Sequence, residues 1–180
     1  YEIVHRDWSS DVCSSDLIYQ LMAVKKNNPE HLKAAKNFLM LPDYFHFLLT
    51  GQKCSEYTNA TSTQLINAET IDWDRELIER LGYPQEMFLP LSQPGTLVGS
   101  FTKEIEEEVG FSCEVVLPAT HDTGSAVMAL PGEGDKNLYI SSGTWSLMGI
   151  ENKTAICTED SRKRNFTNEG EIGRASCRER

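Results

Sequence analysis

The chain has 180 residues and a formal net charge of −10, with 39% hydrophobic and 24% charged residues. That balance is ordinary for a globular protein, and the acidic surplus argues against binding nucleic-acid phosphates. No apolar run approaches the ~20 residues that cross a bilayer, and no basic segment followed by an apolar one marks a secretory leader, so the expectation is a cytoplasmic protein without membrane or nucleic-acid partners.

Residues 1–17 (YEIVHRDWSSDVCSSDL) and 171–180 (EIGRASCRER) show neither helical nor strand periodicity. Both resemble translated sequencing-adapter DNA and are set aside as non-native, as a fusion scar would be. Of the remaining residues 18–170, Cys54, Cys113 and Cys157 are widely spaced with no C-x-x-C. They read as reduced thiols, and no His/Cys/Asp cluster has metal-ligand spacing, so no metal site is expected.

In chain order, PEHLKAAKNFLMLPDYFHFLLTG reads as two helical pieces. Pro29 suits a first helical turn, and Leu32, Ala35 and Leu39 recur at helical spacing. Pro42 is expected to break the run, after which Phe45, Leu48 and Leu49 form one apolar side until Gly51. SEYTNATST is polar with small residues, and TQLIN suits a short strand. DWDRELIERLG predicts an amphipathic helix capped by Asp72 or Asp74, with Leu77, Ile78 and Leu81 as its stripe. YPQEMFLPLSQPGTLVGS predicts an extended connection. TKEIEEEVG predicts a short helix from Thr102 to a stop at Gly110, with Glu104 to Glu108 solvated. CEVVLPA predicts a buried strand, and HDTGSAVMAL a helix whose small residues pack on a sheet. PGEGD marks a boundary at residues 131–135. NLYISSGTWSLMGIE and TAICTE predict strands, the first stretch folding as a hairpin. Alternating helices and strands followed by a hairpin predict an α/β unit joined to a second unit. His31 and His46 read as surface or packing groups, Trp73 as packing under its helix, and Trp145 as core or a flank of the nucleotide.

Two stretches could carry chemistry. Asp122 falls where a strand gives way to a helix, where backbone N–H groups and the positive helix end favour a carboxylate. Such a group can accept a proton from a substrate hydroxyl, or it can simply cap the helix. In ISSGTWS, Gly143 permits a positive φ, so successive N–H groups and the Thr144 hydroxyl can cradle phosphate oxygens; an ordinary hairpin turn is the alternative. No G-x-x-x-x-G-K-[ST] or G-x-S-x-G is present.

Together DYFHFLLTG, SEYTNATSTQLIN, DWDRELIERLG, LPLSQPGTLVG, VVLPATHDTGSAV and YISSGTWSLMGIE resemble the FGGY family of carbohydrate kinases. The pairing of THDTGSAV with SSGTWSLMG is similar to the rhamnulokinase branch. The resemblance implies an actin-like, ribonuclease H-like α/β fold, present in part. Residues 18–131 would be the later part of the sugar-binding domain and residues 132–170 the start of the nucleotide-binding domain. It implies transfer of the γ-phosphoryl group of Mg2+-bound ATP to a ketose, L-rhamnulose giving L-rhamnulose 1-phosphate. Asp122 would be the general base, His121 and Thr123 would help hold the sugar, and Gly143 and Thr144 would face the ATP phosphates, with Mg2+ arriving on ATP. Another sugar (L-fuculose, xylulose) and a non-catalytic actin-like ATP-binding module remain alternatives. Family members carry an N-terminal phosphate loop and adenosine contacts without counterpart here, so the expectation is an internal piece that is inactive alone.

Overall fold

Local turn chemistry sets the helix boundaries of the first 110 residues. The computed structural model describes residues 17–130, 138–142, 146–164, 166–171 and 174–179. Helix α1 (Leu17–Asn27) lies on a stretch without a predicted element. Helix α2 (Pro29–Ala34) starts at the expected proline but ends early, and residues 35–40 form no helix. Pro42 does not break a helix. It sits in the first turn of α3 (Leu41–Thr50), where a missing N–H removes no helical hydrogen bond. The apolar side expected of α3 is not its buried side: Phe45 and Leu48 are 55% and 45% exposed, whereas Asp43 and Thr50 are buried. The helix packs through its polar residues because Asp43 accepts a hydrogen bond from the Glu56 backbone N–H at 3.1 Å.

Strand β1 (Ser55–Glu56) leads directly into α4 (Tyr57–Thr61), and β2 (Ile66–Asn67) pairs antiparallel with β3 (Asp72–Trp73). Helix α5 (Arg75–Leu81) follows the prediction: the Asp74 carboxylate caps it by accepting from the Leu77 N–H at 2.9 Å. It stops at Gly82, whose φ of 67° suits a residue without Cβ. The supposed extended connection carries more structure than expected. It holds a 3₁₀ turn (Gln85–Met87), β4 (Leu91–Ser92) parallel to β1, and β5 (Leu97–Ser100). Helix α6 (Lys103–Val109) is capped by Thr102 and ends at Gly110, as predicted.

Strand β6 (Glu114–Val116) exists, but it is not buried. It pairs antiparallel with β5, and Val116 is 51% exposed. Its β-branched residues express a strand preference rather than a buried position. Among the described residues the only parallel pair is β1 with β4, so the rule placing ligands beyond parallel strands does not apply to β6. Helix α7 (Asp122–Met128) follows. Strands β7 (Leu138–Ser142) and β8 (Ser146–Asn152) form the expected hairpin, with Ser142 opposite Ser146. TAICTE is not a strand. Residues 155–158 are irregular before α8 (Glu159–Lys163), because the Asn168 side chain satisfies the Ile156 backbone instead. It accepts from Ile156 N–H at 2.8 Å and donates to its carbonyl at 3.1 Å. Strands β9 (Phe166–Glu171) and β10 (Arg174–Glu179) complete an antiparallel sheet of order β7-β8-β10-β9. Strand β10 belongs to the segment set aside above and pairs on both sides.

The apolar core gathers Leu32, Leu65, Trp73, Ile78, Met87 and Phe88, with Ile18, Leu21 and Val24 of α1 packed on it. Trp73 is packing, as expected: its ring centroid lies 4.9 Å from that of Phe88, and its indole N–H donates to the Leu89 carbonyl. Beside this core lies a buried polar layer of Asp43, Glu56, Thr58, Thr61 and Thr63. That layer connects the core to the strand-to-helix junction around Asp122.

Candidate functional site

The junction begins at Leu117, which is 1% exposed. Its N–H donates to the Thr96 carbonyl at 2.9 Å, and its carbonyl accepts from Gly95 N–H at 2.7 Å. Residues 117–121 then lead into α7. The cap of α7 is His121, not Asp122: Nδ1 of the imidazole accepts the Gly124 N–H at 2.9 Å. An accepting Nδ1 places the ring proton on Nε2. Nε2 lies 3.4 Å from a Glu169 carboxylate oxygen, and both side chains are buried. The Ser125 hydroxyl donates back to the Ala119 carbonyl at 2.7 Å and closes the bend.

With capping done by His121, Asp122 is the exposed first residue of the helix. Its Oδ1 accepts from the Thr123 N–H at 2.6 Å and from the Thr123 hydroxyl at 3.4 Å. Among the described residues, neither bond uses Oδ2. The Thr123 bonds hold one carboxylate oxygen in place, at a helix end that favours negative charge.

Glu56 is the residue that sequence reasoning missed. It is fully buried, and its carboxylate collects five hydrogen bonds. Oε1 accepts from Thr58 N–H at 2.8 Å. Oε2 accepts from the Thr58 hydroxyl, Asn59 N–H, Thr120 N–H and the Thr120 hydroxyl at 2.7, 3.0, 3.2 and 2.7 Å. One side chain thus caps α4 and grips the residue before His121. The His121 N–H adds a bond to the Thr58 hydroxyl at 3.3 Å. These donors compensate the burial of the charge. The signal lay in E-x-T-N, an acidic residue two and three places before N–H groups at a helix start.

Strand β9 reaches the same place from the other side. Gly170 N–H donates to the Thr61 hydroxyl at 3.0 Å, and a Cβ on Gly170 would lie 2.6 Å from Tyr57 Cζ. Only glycine lets β9 come this close to α4 and bring Glu169 to His121. Tyr57, Thr61, Gln64, Asn168 and Glu169 help line a cavity of about 620 Å3, which Asp122 does not line. Helix α7 also packs on β7, the strand that leads toward Gly143.

His121, Asp122 and Thr123 thus come together at one junction. Gly143, Thr144 and Trp145, and the boundary at 131–135, lie outside the described residues. His31 is exposed as expected. The fold also assembles a cluster without a sequence signature: donor atoms of Asp43, His46 and Cys54 lie within 4.8 Å of one another. Burial raises the Asp43 carboxyl to about 6, against the Glu56 N–H that it accepts, and the Glu56 charge adds to the rise. Burial lowers His46 and raises the Cys54 thiol to about 11, the latter aided by the Asp43 and Glu56 charges.

Residues 4–129 match the sequence pattern of the FGGY family of carbohydrate kinases, N-terminal domain. The chain belongs to the FGGY family. That match begins inside the N-terminal segment set aside above. Over 153 residues the chain is 58% identical to a rhamnulokinase of Halalkalibacterium halodurans and 54% identical to one of Oceanobacillus iheyensis. Each alignment covers 85% of this chain and 32% of the relative. The chain thus spans about a third of the length of these curated FGGY relatives. Among solved structures, a xylulose kinase of Lactobacillus acidophilus superposes with a TM-score of 0.79 at 19% identity, over 92% of this chain and 34% of that one. A gluconate kinase of the same organism gives 0.78 at 20%, over 92% and 33%. The fold is the partial actin-like α/β architecture that the sequence implies.

Proposed function

We propose that this FGGY chain is part of an ATP-dependent sugar kinase that phosphorylates L-rhamnulose to L-rhamnulose 1-phosphate, with Asp122 as its general base. The observation that carries the reading is the exposed Asp122 carboxylate, tied through one oxygen at a helix start and braced by Glu56 through Thr120. The sugar is argued from the names of the relatives at 58% and 54% identity.

The sugar hydroxyl oxygen forms a bond to the γ-phosphorus as the bond from phosphorus to the bridging β,γ-oxygen of ATP breaks, releasing ADP. The hydroxyl proton passes to Asp122 as its oxygen bonds to phosphorus. Such transfer depends mainly on positioning and charge stabilisation. Thr123 fixes the Asp122 carboxylate, leaving Oδ2 to meet the hydroxyl. His121 keeps the bend closed; contact with the sugar would require Nε2 to exchange Glu169 for a sugar oxygen. Gly143 and Thr144 would face the ATP phosphates. Mg2+ would arrive bound to ATP, and its part would be to neutralise the phosphate charge. Residues 18–131 would belong to the sugar domain and residues 132–170 to the nucleotide domain.

The test is phosphorylation by a chain of full family length carrying these residues, with L-rhamnulose, L-fuculose and xylulose compared under identical conditions. The highest kcat/KM is expected with L-rhamnulose. A preference for either other sugar would overturn the substrate assignment, and no turnover with any would overturn the kinase reading.

A further inference from the structure

Asp43, His46 and Cys54 lie outside the chemistry proposed for Asp122. Asp43 and His46 are one turn apart on α3, and Cys54 follows that helix just before β1. Asp43 is fully buried; its Oδ1 accepts from Glu56 N–H and the Met40 backbone also acts on the carboxyl, while Oδ2 makes no hydrogen bond among the described residues. His46 Nδ1 is likewise buried and unpartnered among them, as is Ser55 Oγ, next in the chain to Cys54. Cys54 is a half-buried free thiol. A buried polar atom without a partner is costly, and Asp43 and His46 each carry one beside the Cys54 sulfur.

We propose that Asp43, His46 and Cys54 form a binding site for a thiophilic divalent cation, Zn2+ being the best match. One donor atom from each residue lies within 4.8 Å of the others. In a tetrahedral zinc site with bonds of about 2.0–2.3 Å, donors sit about 3.4–3.6 Å apart. Closing the cluster by about 1 Å therefore meets the requirement. Sulfur, imidazole nitrogen and carboxylate oxygen select zinc or cobalt over magnesium or calcium. Charge agrees as well. Carboxylate, thiolate and Zn2+ sum to zero with a neutral imidazole, and binding displaces the Cys54 thiol proton. Burial lowers the His46 pKa, which favours the neutral form that ligates. Three protein ligands leave a fourth position for water. The inference does not depend on the kinase reading.

The test uses the chelator-treated full chain titrated with Co2+, followed by the thiolate-to-cobalt charge-transfer absorption, and then displaced by Zn2+. One equivalent is expected to saturate the band. Cys54→Ser should abolish it. His46→Gln should weaken Co2+ binding more than about 100-fold, since loss of an outer-shell partner alone costs about 10–100-fold. Cys113→Ser and Cys157→Ser should leave the band unchanged. Tm in chelator, equal to that of the parent, shows that the variants are folded, and His46→Gln serves as the second reading if Cys54→Ser lowers it. No band at one equivalent, a band that survives Cys54→Ser, or affinity untouched by His46→Gln would each overturn the site.

Discussion

Replacing Glu56 by glutamine tests how the junction is held. The carboxylate receives five donors, four on Oε2 and one on Oε1. An amide has one acceptor oxygen. Placed at Oε2, it keeps four bonds, but each now runs to a neutral acceptor of roughly half the strength. The amide nitrogen then faces the Thr58 N–H, donor against donor, and that bond is lost. A buried hydrogen bond to a charged group is worth about 1.5–3 kcal/mol. Together these losses predict destabilisation of about 3 kcal/mol or more, with no solvent to screen a fully buried group. With a urea m-value of about 1–3 kcal/mol/M, the unfolding midpoint should fall by about 1–3 M. The assay is equilibrium urea unfolding by circular dichroism and tryptophan fluorescence. The exposed Glu114→Gln variant is the control, expected within about 0.5 kcal/mol of the parent. A Glu56→Gln midpoint equal to that control would refute the idea that this carboxylate braces Thr120 and the bend beyond it.

Two further predictions concern neighbouring groups. His121→Ala removes the α7 cap and should cost about 1 kcal/mol, whereas His121→Asn, a strong capping residue, should recover most of it; thermal unfolding of the pair separates capping from packing. Asp43 gives a pH dependence. Its folded value of about 6 lies above the ordinary 3.8, so the folded state holds the proton more tightly. Stability is then greatest below pH ~4 for this group and declines as pH rises to about 6, by about 3 kcal/mol for a fully buried carboxyl. Urea midpoints in chelator should show that decline in the parent and lose it in Asp43→Asn; equal pH profiles would contradict the burial argument.

Much of the frame was legible because it rests on local rules. Asp74 and Gly82 bracket α5, Thr102 and Gly110 bracket α6, and alternating apolar residues around ISSG mark the β7–β8 hairpin. Failures came where tertiary partners decide. Phe45 and Leu48 look like a core face, yet a backbone bond from Glu56 turns Asp43 inward instead. TAICTE has strand composition, but Asn168 satisfies Ile156 from outside a ladder. THDT marked the start of a helix, but the cap is His121 rather than Asp122, because an imidazole nitrogen can accept a helix N–H as an aspartate does. Glu56 was hidden because its partner Thr120 lies far along the chain, and Asp43, His46 and Cys54 have no motif spacing until α3 ends and the chain turns back.

The most direct measurement is phosphorylation of L-rhamnulose by Asp122→Asn in a chain of full family length, with ATP binding and Tm measured alongside. General-base loss should lower kcat by about 10²–10⁴-fold, while Tm stays put because Asp122 is exposed and does not cap α7, and ATP affinity stays within about 2-fold. Unchanged turnover would contradict the account and leave Asp122 as a solvated first residue of its helix.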